Sequence, residues 1–230
     1  MVQRCMTIKT RTIGSPALHK QLLIGVEHVR DKDLIEAVKQ TILERKPSTV
    51  GLEVPESWLM RREANLSFGL FDAIEIALSQ EKIKVIPLEK DDTYALAIVA
   101  FRAARILRGD PFQEENLELS RKFHPAAFKF LFAEYQRALK LSKRYKRVAE
   151  LIPLIRRVNR RREREMLATI ETEKPDIALL GNAHAEALQE RLSSFGYIYM
   201  FREEQEQFLD NVLAIMKGAS LDQRLPGYQL

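Results

Sequence analysis

The sequence predicts an α/β protein, with a central and mostly parallel sheet that is flanked by helices. Short apolar runs bounded by glycine or proline alternate with longer stretches in which apolar residues recur every three or four positions. The short apolar runs are typical of buried strands, and the longer periodic stretches are typical of amphipathic helices. A length of 230 residues and a hydrophobic content of 46% fit one domain with a sizeable core. We therefore expect a single domain over residues 1–230.

The first ninety residues predict strands and helices in alternation. The first strand, Leu22 to Ile24, is an apolar run that Gly25 ends. In the stretch that follows, Leu34, Val38 and other apolar residues recur at helical spacing, which predicts a helix. The predicted elements here are strands at 22–24, 49–52 and 84–88, and helices at 31–44 and 69–79.

The last sixty residues return to the same alternation. They predict a strand at 177–180, a helix after Gly181, a strand at 197–201 and a final helix at 203–217. The segment between, from about 91 to 174, has apolar residues at three- and four-residue steps and no convincing strand. We therefore predict that a helical insertion between the third and fourth main strands covers one edge of the sheet.

Composition excludes several classes of protein. The longest apolar stretches are far shorter than the roughly 18 residues that a membrane span requires, so we expect no membrane association. The first residues do not have the pattern of a secretory signal, and a cytoplasmic protein is the simplest interpretation. The chain has one cysteine, Cys5, which excludes an internal disulfide and Cys-based metal sites.

The most informative feature is a pair of Gly-x-x-His motifs, Gly25 to His28 and Gly181 to His184. About 0.16 such matches are expected by chance at this composition, and each follows a predicted strand and precedes a predicted helix. Ligands bind beyond the carboxyl ends of parallel strands, so both imidazoles are candidates for one polar site. The alternative for each histidine is that it only caps or packs against its own helix.

A carboxylate joins the two histidines in this prediction. Glu53 lies at the end of the predicted second strand, and we expect it to share a cavity with His28 and His184. Two imidazoles and a carboxylate can hold a divalent metal such as manganese, cobalt or zinc. Glu56 is better explained as the first residue of a helix, where the helix dipole favours a negative charge.

Basic residues concentrate between Lys143 and Arg164, within a net charge of +5. Such a stripe can attract phosphates, but on a predicted helix it is more often a solvated face. We therefore do not expect nucleic acid as a partner, and keep a nucleic-acid-associated protein as a third alternative. That alternative requires exposed basic residues on one helical face.

Four elements in order resemble the TraB/PrgY family. They are the first Gly-x-x-His, the strand-end Glu53, the Arg162-Glu163-Arg164-Glu165-Met166 helix motif and the second Gly-x-x-His. The family belongs to a superfamily that also contains Tiki proteases, GumN, ChaN and erythromycin esterases. The resemblance implies a central cluster of His28, Glu53 and His184, with Arg162 reaching in from the helical insertion.

The resemblance implies a hydrolase that acts on a peptide or ester bond, in a metal-dependent or a metal-free version. In it, Arg162 would stabilise the developing oxyanion, and a peptide or small molecule would be the ligand. The alternative is a non-catalytic protein that sequesters a peptide or small ligand in the same pocket. We further expect Arg162 to pair with Glu53 or another acidic group near the histidines, and Arg161 and Arg164 to face solvent.

Overall fold

The structure, a computed structural model, describes residues 8–13, 19–27, 31–57, 70–109, 121–122 and 125–202. It is an α/β fold with a six-stranded, mostly parallel sheet flanked by helices, as predicted. The strands are β1 (Ile8–Ile13), β2 (Gln21–Val26), β3 (Thr49–Pro55), β4 (Lys84–Glu89), β5 (Ile177–Gly181) and β6 (Phe195–Arg202).

The order of the strands across the sheet is β1-β6-β2-β5-β3-β4. β2 pairs in parallel with both β5 and β6, β3 pairs in parallel with β5, and β1 pairs antiparallel with β6. β2 and β5 therefore lie in the middle of the sheet. Their residues from Leu22 to Val26 and from Ile177 to Gly181 are all buried, which explains why both read as continuous apolar runs.

The described helices are α1 (Lys32–Glu44), α2 (Leu70–Gln80), α3 (Asp91–Leu107), α4 (Pro125–Ser142), α5 (Val148–Glu173) and α6 (Asn182–Gln189). α1 shows why the sequence folds this way locally. The side chain of Asp31 accepts a hydrogen bond from the Leu34 amide at 2.9 Å and caps the helix. Leu34, Val38 and Ile42 recur every four residues and form its buried side.

The edge strand β1 was not predicted. Its sequence, IKTRTI, is mostly polar and has no apolar run, but its β-branched residues suit a strand. Its register pairs Ile8 with Arg202 and Thr10 with Met200 of β6. The Arg11 guanidinium lies over the Phe201 ring, 5.7 Å from its centre, a favourable cation–π arrangement.

The chain divides into two compact units. The first consists of Met1–Glu53, Phe68–Pro87 and Leu167–Leu230, and the second of Val54–Ser67 and Leu88–Met166. The described part of the predicted insertion contains the helices α3, α4 and α5. A core cluster in the second unit is formed from residues of these three helices, namely Val99, Ala103, Ala104, Ala138 and Leu151.

Two predictions stay open at this level. One domain with an insertion, rather than two independent domains, stays a prediction, and the predicted helix at 203–217 lies outside the described residues. No helix in the described part of the chain is long and apolar enough to cross a membrane.

Candidate functional site

The two Gly-x-x-His motifs begin at the same end of adjacent strands. In the parallel pairing of β2 with β5, Gly25 stands opposite Leu180 and Val26 opposite Gly181. Both glycines therefore lie at the carboxyl ends of the central strands, where we expected the site. Residues 28–30 lie outside the described part of the chain, so the position of His28 stays a prediction.

Gly25 is a glycine because two side chains pack directly against it. A β-carbon placed there would lie 2.6 Å from Cδ1 of Tyr199 and 2.8 Å from Oδ1 of Asn182. Both distances are too short for any side-chain carbon. The absence of a side chain at this position therefore makes room for Tyr199 and Asn182.

Glu53 connects β3 to the junction of β5 and α6. Its side chain is buried, and Oε2 accepts a hydrogen bond from the backbone amide of Gly181 at 2.5 Å. Gly181 precedes the first residue of α6, and no side chain caps this helix. A carboxylate is well suited to this position because amides at the start of a helix carry partial positive charge. The carboxylate of Glu53 is thereby held in one orientation.

His184 lies against the other oxygen of this carboxylate. It is the third residue of α6 and is buried, with 6% of its surface exposed. Its Nε2 is 3.7 Å from Oε1 of Glu53, a distance that fits an ion-pair contact but exceeds hydrogen-bond length. Two of the four predicted site residues, Glu53 and His184, are thus brought together within the first unit.

Asn182 belongs to this cluster, and sequence reasoning missed it. It is 8% exposed, and its Oδ1 has no hydrogen-bond partner within the described residues. Its only signal in the sequence is its place inside the motif, directly after Gly181. A buried amide oxygen without a partner is costly, so Asn182 is a candidate contact for a bound ligand.

Two tyrosines of β6 hold α6 in position. The Tyr199 hydroxyl donates to Oε2 of Glu186 at 2.8 Å, and the Tyr197 hydroxyl reaches the carbonyl oxygens of Gln189 and Leu192. Burial raises the pKa of Tyr197 to about 12. Burial, together with the neighbouring Glu186 carboxylate, raises the pKa of Tyr199 even further. Both tyrosines are therefore neutral donors at physiological pH, and they fix the helix that carries His184.

Arg162 forms a buried ion pair in the second unit. Its Nε donates to Oε1 of Glu89, the last residue of β4, at 2.6 Å, and its NH1 lies 3.4 Å from Oδ1 of Asn159. Arg162 is 8% exposed, whereas Arg161 and Arg164 are exposed. Arg161 and Arg164 face solvent, as expected, although Arg161 also pairs with Glu165. That the acidic partner of Arg162 belongs to the site of the two histidines stays a prediction.

Glu53 and His184 are two of the three residues that were predicted to hold a divalent metal. The described residues contain no group of three or more His, Cys, Asp or Glu side chains that could hold a metal ion. The third predicted ligand, His28, lies outside them. Two tetrahedral ligands at about 2.1 Å from zinc lie about 3.4 Å apart, close to the 3.7 Å between Glu53 and His184. This pair therefore fits two positions of a metal site.

Comparisons with known proteins returned nothing. No family model matches the chain, and no curated protein or solved structure matches it. The resemblance to the TraB/PrgY family therefore rests on the motifs from Gly25 to His184 alone.

Proposed function

We propose that this protein is a hydrolase of peptide or ester bonds in which Glu53 and His184 perform the acid–base chemistry. The observation that carries the proposal is their contact, 3.7 Å between Oε1 and Nε2, with both side chains buried. A structural histidine needs only a hydrogen-bond partner. Here a buried carboxylate with a fixed orientation faces a buried imidazole that lies just beyond the carboxyl end of the central strand β5.

The geometry suggests a role for each group. The Gly181 amide holds one oxygen of Glu53, and the other oxygen faces Nε2 of His184. In the proposed reaction, His184 takes a proton from water while the water oxygen bonds to the carbonyl carbon of the substrate, and Glu53 stabilises the resulting imidazolium. The carbon–nitrogen or carbon–oxygen bond then breaks, and His184 returns the proton to the leaving amine or alkoxide. Such acid–base catalysis contributes about 10²- to 10⁴-fold to a rate.

A metal is compatible with the same residues. Glu53 and His184, with His28 as the third ligand that the resemblance implies, would hold a divalent cation. When bound, it would supply Lewis acidity toward the carbonyl oxygen. The resemblance also assigns oxyanion stabilisation to Arg162, whose charge pairs with Glu89.

The proposal is tested with the full chain and a panel of substrates. Quenched fluorescent peptides, labelled casein and p-nitrophenyl esters would be assayed in the presence of EDTA, and separately with added manganese, cobalt or zinc. Glu53→Gln and His184→Asn keep the size of the side chain but remove the acid–base function. We expect each to lower kcat/KM by about 10²- to 10⁴-fold.

His19→Asn is the matched control. His19 lies before β2, and its Nδ1 is 3.1 Å from the Ser194 carbonyl oxygen, a contact that is structural. We expect this variant to keep the activity of the natural protein within about twofold. Turnover that survives in both Glu53→Gln and His184→Asn would refute the assignment. Peptide binding without turnover in the natural protein would favour a sequestering function instead.

A further inference from the structure

The exposed side of α5 is composed only of arginine between residues 156 and 164. In this interval the exposed positions are Arg156, Arg157, Arg160, Arg161 and Arg164, which we call the arginine face. Residues recur every four positions within two adjacent rows, one with Arg156, Arg160 and Arg164 and one with Arg157 and Arg161. All five therefore lie on one side of the helix. From first to last they span about 12 Å along the helix axis. The sequence predicted a solvated basic stripe from Lys143 to Arg164, and between residues 156 and 164 every exposed position of this stripe is an arginine.

Little of this charge is neutralised nearby. Arg161 pairs with Oε1 of Glu165 at 2.9 Å, and Nε of Arg164 donates to the Arg160 carbonyl oxygen at 3.3 Å. The latter bond leaves the charge of Arg164 uncompensated. Glu163, the one acidic residue between 156 and 164, is half-buried and does not belong to the arginine face. Four guanidinium groups therefore project into solvent without an acidic partner among the described residues.

The apolar side of α5 is already in use. Leu151 is fully buried in the core cluster of the second unit, and Leu154 and Ile155 pack against that cluster. An interfacial membrane helix needs an apolar face that can enter the lipid, and α5 has none to offer in this region. The arginine face also contains no aromatic residue, so it has no platform on which single-stranded bases could stack.

We propose that the arginine face binds the phosphate backbone of double-stranded nucleic acid without sequence preference. Guanidinium groups bind phosphate oxygens through two parallel hydrogen bonds, and arginine is the residue best suited to this contact. The side chains diverge from a convex helix surface, so they suit a row of phosphates better than one small anion. A duplex, with one charge per about 1.7 Å of axis, provides such a row. This inference does not depend on the proposed hydrolase function.

Binding would be measured by fluorescence anisotropy with a labelled duplex of about 20 base pairs, at salt concentrations from about 50 to about 200 mM. For the natural protein we expect the logarithm of affinity to fall with the logarithm of salt, with a slope of about −3 to −4.5. A variant with Arg156, Arg157, Arg160 and Arg164 changed to Gln should bind at least about tenfold more weakly, and its slope should be smaller by about 3.

A matched control removes four charges elsewhere, by changing the exposed residues Lys20, Lys32, Lys84 and Arg191 to Gln. The affinity of this control should stay within about threefold of that of the natural protein, and the slope of its salt dependence should differ by no more than about one. Changing the four arginines to Lys keeps the charge and should restore most of the slope. Equal losses in both Gln variants would show that net charge alone attracts the duplex, and the proposal would fail. It would also fail if the natural protein did not bind, or if phosphatidylserine vesicles or a single strand bound more tightly than the duplex.

Discussion

Arg162 places both Nε and NH2 against the same oxygen of Glu89, at 2.6 and 2.5 Å. The side chains of this pair are 9% and 1% exposed. The preceding residue, Arg161, pairs with Glu165 one turn further along the helix and remains 53% exposed. Consecutive arginines thus make one buried and one exposed ion pair. The energetics differ, because water screens the exposed pair and does not reach the buried one.

Removal of Arg162 should therefore be far more damaging than removal of Arg164. Arg162→Ala leaves the buried carboxylate of Glu89 without this cation, which costs roughly 3–5 kcal/mol in the free energy of unfolding. Arg164→Ala removes an exposed side chain and should change it by less than about 0.5 kcal/mol. Urea denaturation followed by circular dichroism measures both values. Similar, small effects of the two substitutions would show that Arg162 is ordinary surface charge.

The energetic coupling between Arg162 and Glu89 can be tested with a double variant. A double variant, Arg162→Met with Glu89→Leu, removes both charges and keeps apolar volume, so it should be more stable than Arg162→Met alone. If the two substitutions were additive, the contact between these side chains would contribute nothing specific.

Gly25→Ala should destabilise the protein by about 1–3 kcal/mol, because the new methyl group would overlap the Tyr199 ring and the Asn182 amide. The destabilisation should be relieved in part when Tyr199 is replaced by Val in the same chain, since the closest contact is with the ring. Thermal unfolding of the two single variants and the double variant provides the measurement. Strictly additive effects would mean that Gly25 is required for some other reason.

Asp176 should make stability depend on pH in the acid range. Burial would raise the pKa of its carboxyl group, but hydrogen bonds from Ser48 and Thr49 outweigh this and lower the pKa below its usual value of 3.8. Its Oδ2 accepts bonds from the amides of Ser48 and Thr49 at 2.8 and 3.0 Å and from both hydroxyl groups. A lowered pKa in the folded state means that the stabilisation is complete above the unfolded pKa and disappears as the pH falls through the folded value.

Asp176→Asn should accordingly lower the free energy of unfolding by about 1 kcal/mol at pH 7. This difference should shrink as the pH falls below about 4. Urea unfolding of both proteins at several pH values gives the difference directly. Glu173→Gln, which alters an exposed carboxylate at the end of α5, is the control and should change the free energy of unfolding at pH 7 by less than about 0.5 kcal/mol. A penalty for Asp176→Asn that stays constant down to pH 2.5 would contradict this explanation.

Much of the sheet could be predicted from the sequence, because buried parallel strands are continuous apolar runs. β1 could not, because its six residues are mostly polar and are held as a strand by pairing with β6. The proximity of Glu53 and His184 could be predicted because the carboxyl ends of parallel strands gather at one edge of the sheet. The packing of Tyr199 and Asn182 on Gly25 depends on the register of strands distant in sequence, and no local pattern encodes it.

The acidic partner of Arg162 could not be identified from the sequence either. The motif singled out Arg162 from its neighbours, but its partner Glu89 lies 73 residues away. Helical spacing shows which residues share a face. It does not show which face is buried against a carboxylate, because that depends on how the second unit folds.

The strand order β2-β5-β3 has a consequence for biosynthesis. β5 lies between two strands that leave the ribosome long before it, and the amide of Gly181 that binds Glu53 is 128 residues further along the chain. At about 5–20 residues per second, that interval lasts roughly ten seconds. Throughout it, the facing edges of β2 and β3 lack their native neighbour. Nascent chains are therefore most exposed to edge-to-edge aggregation in this interval, and chains truncated before Ile177 should require chaperones to remain soluble.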